Sequence, residues 1–464
     1  MSMRIAVIGG GVSGLTACYR LRQALGPSAR IDLVESSERL GGILHTVALD
    51  GITADVGAEA FIVRRPEALD LLAELGLGDQ VVSPTPRRPA VWSGNRLHDL
   101  PRPALMGIPA GPDAVAGLVS QADLGRIATE PDRPWRWTPG TDMSVGELIG
   151  DRFGPSVLAR SVDPMLGGVY SCLAADIGVR EALPALAAKL DAGAPGLSAA
   201  VGELVAAAGG GSGPVFGAVS GGYRMLVDAL RAAAAPTVYS PITITSITGT
   251  GGHWRLVADG GELPARYDGV IVAVAAWTGA RLLAEVAPDA TQPLSTVGRA
   301  PSAVVSMTFA PGTPLPEYSG VLVATGEDLH AKAFTFSSQK WAQLSGPAGI
   351  PVIRASFGRF GEPIPDERTS PGIDARLVAW ALRDLDRICA VAGRAPVSDA
   401  VRATHVAHWT LPRYAPGHLA AMARVRETIP SGIALAGCAY GGIGVPACIG
   451  EAGRAVTALL AGLN

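Results

Sequence analysis

Lysine is scarce in this chain. Of its 38 basic residues only Lys189, Lys332 and Lys340 are lysines, and no Lys/Arg-rich run occurs. With a formal net charge of −3, the sequence offers no electrostatic footprint for nucleic acid. Cysteine is also sparse. Cys18, Cys172, Cys389, Cys438 and Cys448 form no C-x-x-C pair, which excludes a zinc site or a disulfide framework and fits reduced thiols. Long apolar runs are missing. The longest uncharged one, Val270 to Trp277, falls far below the roughly 20 residues of a membrane-spanning helix. The N-terminal run is too short for a signal peptide, so a cytoplasmic protein without a transmembrane segment is expected. The histidines (His45, His98, His253, His330, His405, His408, His418) are not spaced as ligands. Neither a nucleophile triad nor a paired-carboxylate arrangement is present, so no metal and no catalytic side chain is assigned. What remains is 464 residues, 48% hydrophobic and 17% charged, a globular profile long enough for two or three domains.

The first thirty-five residues carry the strongest pattern. Arg4 to Ile8 is a short apolar run suited to a buried parallel strand. It meets Gly9-Gly10-Gly11-Val12-Ser13-Gly14, with G-x-G-x-x-G spacing on Gly9, Gly11 and Gly14. A helix is predicted from Leu15 to Leu25, then a strand, Ile31 to Val34, ending on Glu35. The first glycine makes the tight turn, the second admits a pyrophosphate, and the third lets helix pack on strand. The helix N-terminus presents free N–H groups to phosphate. Glu35 stands where a carboxylate accepts from both ribose hydroxyls, which argues for a dinucleotide without a 2′-phosphate.

A second device follows at Ser36 to Gly42, where Arg39 precedes the doublet Gly41-Gly42, and then Asp55-Val56-Gly57-Ala58-Glu59-Ala60. Nicotinamide dehydrogenases have no need of this doublet, and it tips the reading from NAD toward FAD. Pro66 to Leu75 reads as a helix closed by Gly76. Prolines then punctuate the chain from Pro84 to Pro112, and Ser144-Val145-Gly146-Glu147 forms a capping box for a helix stopping at Gly154. Alanine-rich helical pieces alternate with Gly and Pro over Ala182 to Ala208, and Ala208 to Pro214 reads as a flexible joint or mobile loop. Another helix opens near Gly221-Gly222. Strand-like runs follow at Val238 to Ile247, His253 to Ala258 and Asp268 to Ala275. The runs Ser302 to Phe309, Val321 to Ala324, Lys332 to Phe336 and Val352 to Phe357 predict a mostly antiparallel sheet, closed by a helix from Asp374 to Val391. The chain ends with a strand, Ile433 to Gly437, a glycine-rich turn, and a helix from about Ile449 to Leu460. That turn would aim a helix N-terminus at a cofactor.

These readings predict an α/β fold with three parts. Residues 1–83, 216–290 and 405–464 form a discontinuous nucleotide-binding domain, 84–215 a helical insertion, and 291–404 a substrate-binding sheet domain.

The combination resembles the flavin amine oxidase / protoporphyrinogen oxidase superfamily over nearly the whole chain. Trp409-Thr410-Leu411-Pro412-Arg413-Tyr414-Ala415-Pro416-Gly417-His418 is similar to that family's W-x-x-(A)-x-P-x-Y-x-x-G-H segment, and Asp163-Pro164-Met165-Leu166-Gly167-Gly168-Val169-Tyr170 to its D-P-F-x-x-G stretch. Phe334 to Trp341 and Arg354 to Arg359 resemble the Gram-positive type of coproporphyrinogen III oxidase. Met165 replaces the family's phenylalanine, and Ser171 to Asp176 lacks the usual Gly-Asp-Pro.

The resemblance implies a Rossmann-like FAD domain of the p-hydroxybenzoate hydroxylase/amine oxidase type. It implies non-covalent FAD held by Gly9, Gly10, Gly11, Val12, Ser13, Gly14, Glu35, Ser36, Arg39, Gly41, Gly42, Gly57, Ala58, Glu59 and Ala60. Later contacts would be Ile244, Trp409, Gly437, Gly444, Val445 and Pro446. For Ile244 and Trp409, plain structural roles stay open.

The implied activity is six-electron oxidation of coproporphyrinogen III to coproporphyrin III in haem biosynthesis, with O2 as acceptor and three H2O2 formed. Arg88, Gly168 and Lys340 would meet the substrate, with Arg64 and Arg65 as secondary cations. Protoporphyrinogen IX oxidase, flavin amine oxidase, carotenoid desaturase and a non-enzymatic haem-pathway module remain alternatives. Transient contact with a ferrochelatase and the oligomeric state are left open.

Overall fold

The computed structural model describes residues 3–208, 213–250, 253–344, 349–362, 364 and 370–463. Its organising sheet is parallel and five-stranded, in the order Thr237–Tyr239, Arg30–Val34, Arg4–Ile8, Gly269–Val272 and Ile433–Leu435. Ile5, Ala6 and Val7 are wholly buried because helices cover one face and a cluster that includes the antiparallel strands Ile244–Thr248 and Arg255–Ala258 covers the other, as an unbroken apolar run requires. Burying each such Val or Ile contributes roughly 1.5–3 kcal/mol. Helix Val12–Leu25 packs against the final helix, Val445–Ala461, so the two ends of the chain share one core. That final helix starts earlier than the sequence suggests. Pro446, with its φ preset and no N–H to satisfy, suits the first turn.

The second sheet has seven strands, ordered Val401–Pro412, Arg299–Phe309, Val352–Phe357, Ala333–Thr335, Gly320–Val323, Ala90–Ser93 and Arg96–Asp99. Every pairing is antiparallel except that of Gly320–Val323 with Ala90–Ser93. Helix Ile373–Val391 covers one face. Its Ile373, Leu377, Ala381, Leu385 and Ile388, at helical spacing, meet Val305, Met307, Phe309 and Ile353. The opposite face carries Ser306, Arg354, His405 and, four residues on, Trp409.

Two expected boundaries need correction. The hairpin Ala90–Ser93/Arg96–Asp99 belongs to this sheet and not to the helical insertion drawn as 84–215. Strand Val401–Pro412 runs through the boundary drawn at 405. Both errors have one cause: a strand's sheet is decided by distant partners that its own residues do not name. Similarly, the run Val238 to Ile247 is two strands. Thr237–Tyr239 joins the parallel sheet, and Ile244–Thr248 pairs with Arg255–Ala258 beyond Pro241, which has no N–H for a ladder.

The helical layer contains Gln121–Ala128, Val145–Arg152, Asp163–Tyr170, Val179–Ala182, Pro184–Asp191 and Leu197–Ala208. The capping box at Ser144 and Glu147 forms in full. The expected joint lies largely at 209–212, outside the described residues.

Candidate functional site

The site grows from the carboxyl end of the parallel sheet. Gly9 has φ +104, and a Cβ there would lie 2.4 Å from the Ala273 carbonyl oxygen. A Cβ on Gly14 would lie 1.8 Å from the Gly9 carbonyl oxygen, so helix and strand meet only with glycine at that position. Glu35 faces this loop. Its Oε2 accepts from Gly10 N at 2.6 Å, and its Oε1 accepts from Ser37 N and Ser37 Oγ, both at 2.8 Å, and from Ser36 Oγ at 3.3 Å. The Glu35 backbone is held by Tyr239 O at 2.9 Å and Ile242 N at 2.8 Å. Ile244 opens the next strand, Ile244–Thr248, and is buried among Ile8, Val34 and Ile247.

The second glycine pair lies against the first loop. Gly41 N donates to Gly10 O at 2.8 Å, and a Cβ on Gly42 would sit 3.1 Å from Gly11 Cα. Arg39 folds over its own loop, donating to Gly42 O at 2.6 Å and to Leu40 O at 3.1 Å, and burial lowers its pKa. At Gly57 a side chain would strike Ile43 O at 1.8 Å and Trp409 Cζ2 at 3.2 Å. Trp409 is half-buried, and its Nε1 donates to Val56 O at 3.2 Å. Ala58 N donates to Ile43 O at 3.1 Å, and Ala60 precedes the short strand Phe61–Ile62.

Glu59 and Lys340 share one cluster of charges. Assigned by resemblance to cofactor and substrate respectively, they face each other, Lys340 Nζ standing 3.7 Å from Glu59 Oε2. Arg354 adds a second cation at 3.5 Å and donates to Gly57 O at 2.5 Å, and Ser337 Oγ donates to Glu59. Burial opposes the charge on Glu59, but Arg354, Lys340 and Ser337 outweigh it and hold the carboxyl below its ordinary value. Burial lowers the Lys340 pKa, with Glu59 opposing. Arg354 was not singled out from the sequence. The signal was available, since strand alternation puts it on the Trp409 face.

Gly437 (φ +134) and Gly442 (φ +143) bracket the C-terminal turn in conformations side chains avoid. Gly444 then caps the final helix with no side-chain partner, and Gly11 does the same for helix Val12–Leu25. These helices pack together, and Ser13 Oγ donates to Cys448 O at 3.4 Å. Two uncapped N-termini and a cradle free of Cβ atoms suit the anionic diphosphate and ring of a flavin dinucleotide.

Arg88 and Gly168 approach one strand, Gly320–Val323, from different sides. Ser319 N donates to the carbonyl of the exposed Arg88 at 3.0 Å, and a Cβ on Gly168 would lie 3.7 Å from Leu322 Cδ2. Thr85 N donates to Lys340 O at 2.8 Å, which brings the Lys340 backbone to the same loop. Arg64 is exposed, and Arg65 pairs with Glu67 at 2.7 Å. A buried lysine also escaped notice. Lys332 Nζ donates to Ser171 Oγ at 2.7 Å, Ser302 Oγ at 3.1 Å and Gly358 O at 2.6 Å. Burial, aided by the charge of Arg359, brings its pKa down to about 7. Among the described residues no group of three or more His, Cys, Asp or Glu could hold a metal ion, and no helix is long and apolar enough to cross a membrane.

The chain matches the family described as flavin containing amine oxidoreductase over residues 12–460. It is 45% identical to the coproporphyrinogen III oxidase of Mycobacterium bovis, across 99% of this chain and 97% of that one. The corresponding Mycobacterium leprae protein is 44% identical, across 99% of both chains. A solved structure from Exiguobacterium sp. 255-15, provisionally named a protoporphyrinogen oxidase, superposes with a TM-score of 0.83 at 27% identity, across 98% of both chains. The glycine cradle and uncapped helix ends are therefore those of a member of the flavin containing amine oxidoreductase family, to which this chain belongs.

Proposed function

We propose that the chain is an FAD-dependent coproporphyrinogen III oxidase. The observation that carries this reading is the 45% identity, over 99% of the chain, to a protein of that name, on a fold whose glycine cradle suits the cofactor. Converting a porphyrinogen to a porphyrin removes six electrons, as three hydrides and three protons. Bound FAD would supply the hydride-accepting chemistry, with O2 as the final acceptor giving three H2O2.

The protein's residues bind and orient. Gly9 to Gly14 and the N-terminus of helix Val12–Leu25 hold the diphosphate, and Glu35 exchanges its present donors for ribose hydroxyls. Gly57 and Trp409 form the wall opposite, stiffened from behind by Arg354 and Glu59. The turn at Gly437 to Pro446 directs the final helix dipole at the ring. Burial pushes the Cys438 thiol up to about 11 and raises that of Cys448 as well, so both are neutral thiols beside the turn.

Four propionates call for cations around a broad apolar slot. Arg88 supplies exposed charge, whereas Lys340 is already balanced by Glu59. Gly168 leaves the slot thin, and Val169, Ile62 and Phe216 present exposed apolar side chains. The test is aerobic turnover of coproporphyrinogen III by the flavin-loaded protein. Three H2O2 for each coproporphyrin III formed is the expected yield. Porphyrin formation without peroxide would contradict the acceptor assignment. The Exiguobacterium likeness favours protoporphyrinogen IX as the second reading.

A further inference from the structure

Asp142 and Glu181 meet where the helical layer touches the segment Arg413–His418. Glu181 is only 8% exposed, and its Oε2 is buried without a donor. A Cβ built on Gly178 would lie 2.0 Å from this oxygen and 2.6 Å from Asp142 Oδ2, so both acceptors converge on one point. Two ionised carboxylates repel there, and one shared proton converts the repulsion into a hydrogen bond. Backbone N–H groups fill the other acceptor positions of the pair, one of them on Asp142 Oδ2 itself. Asp142 accepts from Met143 N at 3.0 Å, Arg180 N at 3.2 Å and Gly417 N at 3.0 Å, while Glu181 Oε1 accepts from Leu419 N at 3.3 Å. Gly417 caps helix His418–Glu427, so the pair fastens the start of that helix to the helical layer. Gly178 N donates to Tyr414 O at 2.9 Å and reinforces the same joint.

The other end of this segment grips the turn before the final helix. Tyr414 OH donates to Cys438 O, and His418 Nε2 donates to Ala439 O at 2.6 Å. We propose that a single proton shared by Asp142 and Glu181 latches the helical layer onto the segment that holds the Cys438–Gly444 turn, making the pair a positioning device for the flavin. This rests on the reading of that turn as flavin-facing.

The surrounding ionisable groups leave the proton on the pair. Arg180, whose charge reaches both carboxyls and favours their ionised forms, is itself bonded to Asp191. Tyr170 contributes a phenol kept neutral by burial and by the charge of Glu181, and burial lowers the pKa of His418. Glu147 is engaged by Ser144, and Arg413 by Asp176. Asp142 lines a cleft of about 640 Å³ with Trp135 and Pro416, which gives the proton a route to solvent. Burial first, then Asp142, pushes Glu181 up to about 8. For Asp142 burial opposes ionisation, but the hydrogen bond from Glu181 and three backbone N–H groups hold it low. The contribution of Glu181 to the latched state is complete below its ordinary value and is lost as pH rises through about 8.

The experiment is FAD release from the holoprotein between about pH 6 and about pH 10, with infrared detection of protonated carboxyl. Wild type should release FAD above a midpoint near pH 8, the latched fraction falling about tenfold per pH unit beyond it. Glu181→Gln donates to Asp142 at every pH, so its profile should be flat. A profile that follows wild type overturns the latch. If that variant does not fold, the wild-type band decides. Loss of the carboxyl band in step with flavin release supports the proposal, and a band that is absent or titrates without release overturns it. Failure of the holoprotein to oxidise any porphyrinogen would instead overturn the function and leave the latch standing.

Discussion

Gly57 and Glu35 show how little freedom single residues have around the glycine cradle. A methyl group on Gly57 would sit 1.8 Å from a backbone oxygen that is already fixed by Ala58 N. Gly57→Ala should therefore yield protein that retains little FAD and melts earlier than wild type, checked by flavin absorbance and a thermal scan. Glu35→Ala removes hydrogen bonds to a charged acceptor, each worth about 1.5–3 kcal/mol, and should weaken FAD binding by about 10–100-fold. Titration of the apoprotein with FAD measures this, and unchanged affinity would remove Glu35 from the ribose site. The glycines and Glu35 were legible in the sequence because their chemistry is local, a loop and the strand end beside it. Glu59 and Lys340 were not, because 281 positions separate two groups that neutralise each other in space. Resemblance placed each near a ligand, and only the fold shows that they face one another, with Arg354 on the other Glu59 oxygen.

At the scale of elements, helices declared themselves and sheet membership did not. Ser144 and Glu147 are three residues apart, so their capping box could be read directly. Ser144→Ala should cost about 1 kcal/mol of stability, measured by denaturant unfolding. The Ala90–Ser93 strand gave no such sign, since its parallel partner Gly320–Val323 lies far along the chain. Lys332 joins the elements it spans, binding Ser171 beyond helix Asp163–Tyr170 to Ser302 of the large sheet and to Gly358 just past its strand Val352–Phe357. Its lowered pKa means that the unfolded chain binds more protons between about pH 7 and the ordinary lysine value. Stability relative to Lys332→Met should therefore rise with pH across that window and level off above it. A difference that is constant with pH would contradict the burial argument.

At the scale of the molecule, the parallel sheet carries the nucleotide cradle, the seven-stranded sheet offers its polar face, and the helical layer brings Gly168 to the strand beside Arg88. The broad α/β plan was legible because buried strands, a glycine loop and antiparallel alternation each leave a periodic trace. The meeting of positions near 88, 168 and 322, the proposed substrate wall, was less so, since no spacing connects them. Arg88→Ala should raise KM for a four-propionate substrate well beyond any change in flavin content, and loss of FAD in its place would move Arg88 out of the slot. The most direct test of the whole account is anaerobic mixing of the flavin-loaded protein with coproporphyrinogen III and, separately, with protoporphyrinogen IX. Fast bleaching of the flavin, with rising porphyrin fluorescence for the four-propionate substrate, is the predicted result. Bleaching by neither would contradict it.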